Sequence, residues 1–394
     1  MSPRYSAAIL GCGDIGHAHA EGYRLNPEVD IVAVVDPLEV ARRQFQLEYG
    51  VEHAYASVEE MLDARTPDIV SVCTWHLLHA PLTIAAARAG ARAVICEKPM
   101  AIGMGEVDAM ISACDGAGAK LVIGHQRRFT PGWEHAREHV AGGGIGDVQL
   151  ARGSGSAGLL NVGTHIVDGL RFVLGDPRAL WVMGALERDT DRFEREVAIE
   201  DRCLVLAALE GGAQLLVESD LRERSGPPGI WLRIEGSDGI VEASEGHART
   251  LNASSGGWLD LVNREDVDRI GGRANGRLVA ELLAWIEGGP EHRCSARIAR
   301  DTTEILMASY ESARRRRVVT LPLEEAGYPV ALMIAEGSLA PGRPGAYDIR
   351  AFLRREGADE ARYAQLRSTG MRHHEIMVRL EAERTEPRAD GKPS

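Results

Sequence analysis

Residues 9–16 read Ile-Leu-Gly-Cys-Gly-Asp-Ile-Gly. They close a short apolar run, Ala7–Leu10, and open a helical pattern that extends to Leu25. A second strand-like run, Val29–Val35, ends on Asp36, 20 residues beyond Gly16. Gly11, Gly13 and Gly16 have the G-x-G-x-x-G spacing that permits a tight turn, close approach of a pyrophosphate and tight helix–strand packing. An acid at that distance meets the hydroxyls of an adenosine ribose. Three glycines alone are weak evidence; with strand, helix, second strand and terminal acid in place they predict a dinucleotide site. Asp14 and Ile15, in the same turn, join the predicted cofactor-binding set. The charge of Asp36 repels a 2′-phosphate, and Pro37 follows it where Arg or Ser would favour NADP, so the expected cofactor is NAD.

The same alternation continues outward. Leu38–Tyr49 is helical, and Ser57-x-x-Glu60 reads as a capping box opening another helix. Ile69–Cys73 and Ala93–Cys96 read as buried strands on either side of a helix over Ala80–Ala89, and Glu106–Gly116 with Leu121–Gly124 adds one more pair. This rhythm predicts a doubly wound parallel sheet, a Rossmann domain over residues 1–125. It breaks near Pro131–Gly146. Arg152–Leu160, rich in Gly and Ser, reads as a loop, and Thr164–Leu174 as a helix. Val197–Leu209, Ala213–Asp220, Trp231–Glu235 and Gly239–Ala243 read as strands separated by Gly-rich hairpin turns. Helices over Arg277–Glu287 and Ala296–Ala313 and a strand over Arg317–Leu323 complete an α+β domain, residues 126–323, with a mostly antiparallel open sheet. Residues 324–394 read as an extension: a turn-rich connector, helices over Tyr347–Glu356 and Glu360–Glu383, and a disordered polar tail from Thr385.

At 394 residues the chain is too long for one ordinary α/β core, which agrees with two domains. With 45 Lys and Arg against 58 Asp and Glu, the net charge of −13 argues against a nucleic-acid or anionic-membrane surface. Arg314–Arg317 reads as a solvated helix end. The six cysteines show no C-x-x-C pair and sit mostly in apolar runs, as reduced core thiols do. No apolar stretch reaches the ~20 residues of a bilayer span and no signal peptide precedes Ala7, so a soluble cytoplasmic protein is expected.

Two constellations can carry chemistry. Glu97-Lys98-Pro99 stands at the end of the fifth strand, and ligands of open parallel sheets bind beyond the carboxyl ends of strands. There Lys98 is a candidate proton-transfer group or substrate anchor, although position alone equally allows a solvated lysine. Asn161-Val-Gly-Thr-His165-Ile-Val-Asp168 places His165 and Asp168 on one helical face, a histidine that moves a proton with a carboxylate to orient it, or a capped structural histidine. His373-His374-Glu375 lacks a third convergent ligand and reads as a solvated helix face; no metal is predicted.

With Gly11-x-Gly13-x-x-Gly16-x-x-His19, Asp36, Thr74-x-x-x-x-His79, Glu97-Lys98-Pro99, Gly124-x-x-Arg127-Arg128-Phe129, Gly163-x-His165-x-x-Asp168, Glu200-Asp201 and Glu235-Gly236-Ser237-x-Gly239, the chain resembles the glucose–fructose oxidoreductase/inositol dehydrogenase/MocA (Gfo/Idh/MocA) family over residues 5–323. The resemblance implies NAD(P)-dependent oxidation of a sugar, cyclitol or similar alcohol. It implies Lys98 as the catalytic proton-transfer group with His165 as partner, Pro99 fixing the peptide that aims Lys98, and Arg127–Phe129 near nicotinamide and substrate. On the same basis Thr74, Trp75, His79, Glu97, Lys98 and Arg127 join the cofactor set, and Lys98, Arg128, Asn161 and His165 the substrate set. Two departures stand out. Asn161 occupies the place of a frequent acid four residues before the histidine, and an amide binds a hydroxyl but accepts no proton. Trp75-His76 replaces a common Pro-Asn pair; Trp75 either stacks on a ring or fills space, and His76 reads as structural.

The sequence also allows two other classes. One is a redox-assisted glycoside-cleaving enzyme with retained NAD; the other is a non-catalytic sugar or dinucleotide sensor. Residues 324–394 are expected to pack on a neighbouring subunit or over the chain's own site, in a homo-oligomer (dimer or tetramer) joined partly through the second sheet.

Overall fold

Short apolar runs buried at every residue, such as Ile69–Val72 and Ala93–Cys96, form strands that must be covered on both faces. The computed structural model describes residues 4–221, 231–264, 271–348 and 359–385. Its first half runs β1 (Tyr5–Leu10), α1 (Asp14–Arg24), β2 (Val29–Val35), α2 (Glu39–Tyr49), β3 (His53–Tyr55), α3 (Val58–Ala64), β4 (Ile69–Val72), α4 (His76–Arg88), β5 (Ala93–Cys96), α5 (Met104–Ala117), β6 (Lys120–Ile123). The sheet order is β3-β2-β1-β4-β5-β6 with every pair parallel. The order reverses between β1 and β4, which opens a crevice beyond their carboxyl ends.

Next come α6 (Pro131–Ala141), β7 (Val148–Gly155), α7 (Thr164–Val173), β8 (Ala179–Glu187), β9 (Thr190–Glu194), β10 (Val197–Ala198), β11 (Arg202–Leu209), β12 (Gln214–Ser219), β13 (Trp231–Gly236), β14 (Gly239–Ala243), β15 (His247–Asn252) and β16 (Leu259–Asn263). They are followed by α8 (Gly272–Ile286), α9 (Ala296–Arg315), β17 (Val319–Thr320), α10 (Pro329–Ala335), β18 (Arg343–Asp348), α11 (Glu360–Ser368) and α12 (His373–Thr385). A nine-stranded sheet, β16-β15-β14-β13-β7-β12-β11-β8-β17, is antiparallel except at β7–β12, and β10-β9-β18 form a small third sheet. The fold class is the expected α/β Rossmann half with an α+β second half.

Several expectations need correction. Residues 152–160 are not simply a loop: Arg152–Gly155 belong to β7, at the centre of the large sheet. A Cβ at Gly153 or Gly155 would lie 2.4 or 2.6 Å from the Ile166 side chain, so these glycines let α7 lie against the sheet. The strand expected over 197–209 breaks at Ile199–Asp201, where buried Glu200 accepts hydrogen bonds from Leu159 N and Tyr310 Oη. Helix α4 begins at His76, four residues early. Strands β3, β8, β9, β15 and β16 were not anticipated. Residues 343–348 form a strand, so 347 and 348 end it rather than starting a helix, and 349–356 lie outside the described residues. The helix expected over 360–383 is two, broken at Gly370 with φ +89°. Thr385 ends α12, and the rest of the expected tail, 386–394, also lies outside the described residues. Among the described residues no helix is long and apolar enough to cross a membrane. All six cysteines are free thiols.

Candidate active site

The glycine turn fits the task its spacing predicts. Gly11 has φ +105°, and a Cβ there would lie 2.5 Å from the Cys73 carbonyl oxygen; one at Gly16 would lie 2.0 Å from that of Gly11. Only glycine allows this turn to hug β4 and open α1 with bare backbone N–H groups. Asp36 accepts from Cys12 N at 2.8 Å and Leu38 N at 2.9 Å, which fixes its carboxylate at the end of β2. Thr74 Oγ1, just beyond β4, is buried without a hydrogen bond. These residues fit a dinucleotide. Trp75, half-buried, is the residue before α4.

At the end of β5 the chain turns through Glu97-Lys98-Pro99, with a cis bond before Pro99. Glu97 is buried, and its carboxylate receives a hydrogen bond from His19 Nε2 at 3.1 Å, while His19 Nδ1 meets Ser71 Oγ at 3.0 Å. A Cβ at Gly124 would lie 2.5 Å from Glu97 Oε1. Burial pushes the Glu97 carboxyl up, but His19 and Lys98 outweigh it and hold it below the usual range. Glu97 thus ties α1 to the turn that carries Lys98. His79, fully buried, bridges the Pro99 carbonyl at 2.8 Å and the Thr74 carbonyl at 3.2 Å. It links the loops that follow β4 and β5.

Lys98 Nζ donates to Asn161 O at 3.2 Å and Asn161 Oδ1 at 3.1 Å. Burial pulls its pKa down to about 8; Glu97 and Glu194 oppose this, Arg195 and Arg127 reinforce it. A carboxylate at position 161 would have raised it. Asn161 lies in a single wide helical turn, Leu159–Gly163, ahead of α7, and its Nδ2 is buried without a partner. His165, on the first turn of α7 and 4 % exposed, has its pKa held well below the ordinary value by burial, Arg127, Lys98 and His125. It is a neutral imidazole near pH 7, with the His125 ring edge-on at 5.8 Å.

Asp168 does not orient His165. Its carboxylate takes a bidentate pair from Arg128, at 2.8 and 2.6 Å, and lies 3.5 Å from His125 Nδ1. Arg128 is wholly buried, also meeting Asp176 at 2.8 Å and the Arg293 carbonyl at 2.9 Å. Its guanidinium is thus taken up by protein groups, at a position where the resemblance implies a substrate contact. Arg127 points the other way and pairs with buried Glu245.

Glu194 and Arg195 were not foreseen. The β9–β10 hairpin turns through Arg195 and Glu196, with φ +48° and +69° and no glycine or asparagine to announce it. Arg195 pairs with Glu194, which is fully buried, and its Nη1 lies 3.3 Å from His76 Nε2. His76, buried at the start of α4, thus joins that helix to the β9–β10 hairpin.

Two family models match this chain. Residues 5–125 fit "Oxidoreductase family, NAD-binding Rossmann fold", and residues 150–242 fit "GFO/IDH/MocA C-terminal domain". The chain belongs to the Gfo/Idh/MocA family. A D-apiose dehydrogenase of Paraburkholderia graminis is 26% identical over 373 residues, spanning 85% of this chain and 95% of that one. An inositol 2-dehydrogenase of Saccharopolyspora erythraea is 27% identical over 338 residues, 80% of this chain and 95% of that one. Among solved structures, an oxidoreductase domain protein of Kribbella flavida superposes with TM-score 0.71 at 23% identity, covering 82% of this chain and all of that one. A levoglucosan dehydrogenase, solved with NADH and L-sorbose, gives 0.70 at 20% over the same shares. Like other Gfo/Idh/MocA members, this chain is an NAD-binding oxidoreductase; neither family model extends past residue 242.

Proposed function

We propose that this chain oxidises a secondary hydroxyl of a sugar, cyclitol or sugar derivative, with Lys98, Asn161 and His165 around the reacting oxygen. The carrying observation is the Lys98 Nζ–Asn161 pair at the crevice end of β5, one helical turn before His165. When bound, NAD supplies the hydride acceptor. A lysine titrating near pH 8 is neutral in about one molecule in ten at pH 7, so it can take a hydroxyl proton and return to its charged form. Asn161 Nδ2 supplies the donor that holds the substrate oxygen and replaces the acid that relatives often carry. His165, kept neutral by burial and by the cations around it, is the alternative acceptor of the hydroxyl's single proton.

The open face of the large sheet supports self-association. Met183 pairs with Leu206, and Leu206 with Leu216, an apolar ladder with Met183 half-exposed and Leu204 beside it. We assign this face to a homo-oligomer contact and the three segments 1–125, 126–323 and 324–394 to cofactor binding, substrate binding with assembly, and an arm. A cytoplasmic location agrees with six unpaired cysteines.

The test is a screen for NADH formation against monosaccharides, cyclitols, sugar acids and glycosides. Net NADH from an alcohol of this panel is expected. Glycoside cleavage without net NADH, or NADH binding with no turnover of any kind, would overturn the dehydrogenase reading.

A further inference from the structure

The C-terminal arm lies on the dinucleotide half of its own chain. Helix α11 packs against α2, and Arg367 pairs with Glu48. Tyr363, Leu366, Ile376 and Met377 are buried in one cluster with Cys12 of the glycine turn, Leu38 just before α2 and Phe45 within α2. Helix α12 begins at the turn itself. His374 N donates to Asp14 Oδ1 at 3.3 Å, and His373, 5 % exposed, has its Nδ1 2.8 Å from Tyr363 Oη. The other edge of that ring faces Gly13: Cδ2 and Nε2 lie 3.5 and 3.8 Å from where a Gly13 Cβ would stand.

The space in front of the second glycine is where a pyrophosphate approaches the backbone. An imidazole in van der Waals contact with that space and a diphosphate cannot both occupy it. Asp36, the acid expected at the ribose, is itself only 1 % exposed. We propose that the arm is an internal competitor for the adenosine–diphosphate half of the cofactor site, with His373 in the pyrophosphate position, so that NAD binds only as α12 lifts away. The arm lies outside both matched family segments. The proposal rests on the dinucleotide reading of the glycine turn.

Competition lowers apparent affinity by the fraction of molecules whose site is open. If the arm is docked in nine molecules out of ten, undocking it tightens binding about tenfold. The experiment uses the full-length chain and three proteins: the natural sequence, Ile376→Asp, which expels α12, and His373→Ala, which removes the blocking ring while leaving the apolar anchors. ADP and NADH are titrated against each, and amide exchange of residues 363–377 is followed with and without NADH. Both ligands are expected to bind on the order of tenfold tighter to Ile376→Asp and detectably tighter to His373→Ala, and NADH is expected to speed exchange in the arm. Equal or weaker binding to both variants, or slower exchange with NADH, would make the arm a clamp or a bystander and overturn the inference. His373→Ala keeps the test decisive if Ile376→Asp misfolds. Failure of every variant to bind NADH would instead sink the dinucleotide reading, and this inference with it.

Discussion

Replacing Asn161 by Asp changes one atom type at the most informative contact of the site. Asn161 Oδ1 stands 3.1 Å from Lys98 Nζ. A carboxylate oxygen there attracts the ammonium by about 5 kcal/mol at an effective dielectric of 20. Burying the new charge offsets much of this, and an opposite charge at such range typically moves a pKa by about 1–3 units. Lys98 should then rise from about 8 towards 9–11. The neutral amine is the form that takes the hydroxyl proton, so in the natural chain oxidation rises with pH and levels off above about 8. In Asn161→Asp the rising limb should move up by the same 1–3 units, and a shift of two would lower kcat at pH 7 roughly a hundredfold. The assay is initial-rate NADH formation from pH 6 to 10 at saturating alcohol, with NADH affinity measured alongside. A limb that stays near 8 or moves down would refute the assignment of Lys98 as the titrating base.

Removing the amine altogether, Lys98→Ala, should lower kcat by about 10²–10⁴ while NADH affinity by fluorescence titration stays within a few-fold; wild-type turnover would refute its role. Arg128→Leu leaves Asp168 buried without its bidentate cation, so it should cost about 3–5 kcal/mol in urea unfolding, and a stable protein with only a raised KM would return Arg128 to the substrate. Met183→Asp puts a charge into the Met183–Leu206–Leu216 ladder and should reduce the mass in light scattering to that of a monomer; an unchanged mass would move the contact elsewhere.

The parallel half was legible because its signals are local. Gly11, Gly13, Gly16 and Asp36 lie within one strand–helix–strand unit, and each restricts the backbone in a way that composition reveals. Lys98, Asn161 and His165 were legible through family motifs, and the first two do meet. What escaped depends on distant partners. Gly153 and Gly155 resemble a loop until Ile166 is known to need their missing side chains. Arg128 could not be told from Arg127 without Asp168, 40 residues on, which claims one and not the other. The Arg195–Glu196 turn adopts left-handed backbone with residues that give no sign of it. His373 looked solvated because helical spacing exposes it to no neighbour in sequence; its neighbour is Gly13.

Helix α8 bears on any attempt to isolate the cofactor-binding half as a transplantable cassette. Its Ala274, Leu278, Val279 and Leu282 lie in the same cluster as Tyr5, Ile9 and Tyr23, and Gly22 of α1 lets Asn275 approach so closely that a Cβ would stand 2.7 Å away. Three of those side chains, Leu278, Val279 and Leu282, bury about 1.5–3 kcal/mol each, a sum comparable to the whole stability of an ordinary domain. A fragment ending at residue 125 therefore carries every strand of its sheet but lacks part of its own covering layer, and a graft that is to fold must bring residues 271–289 along with it.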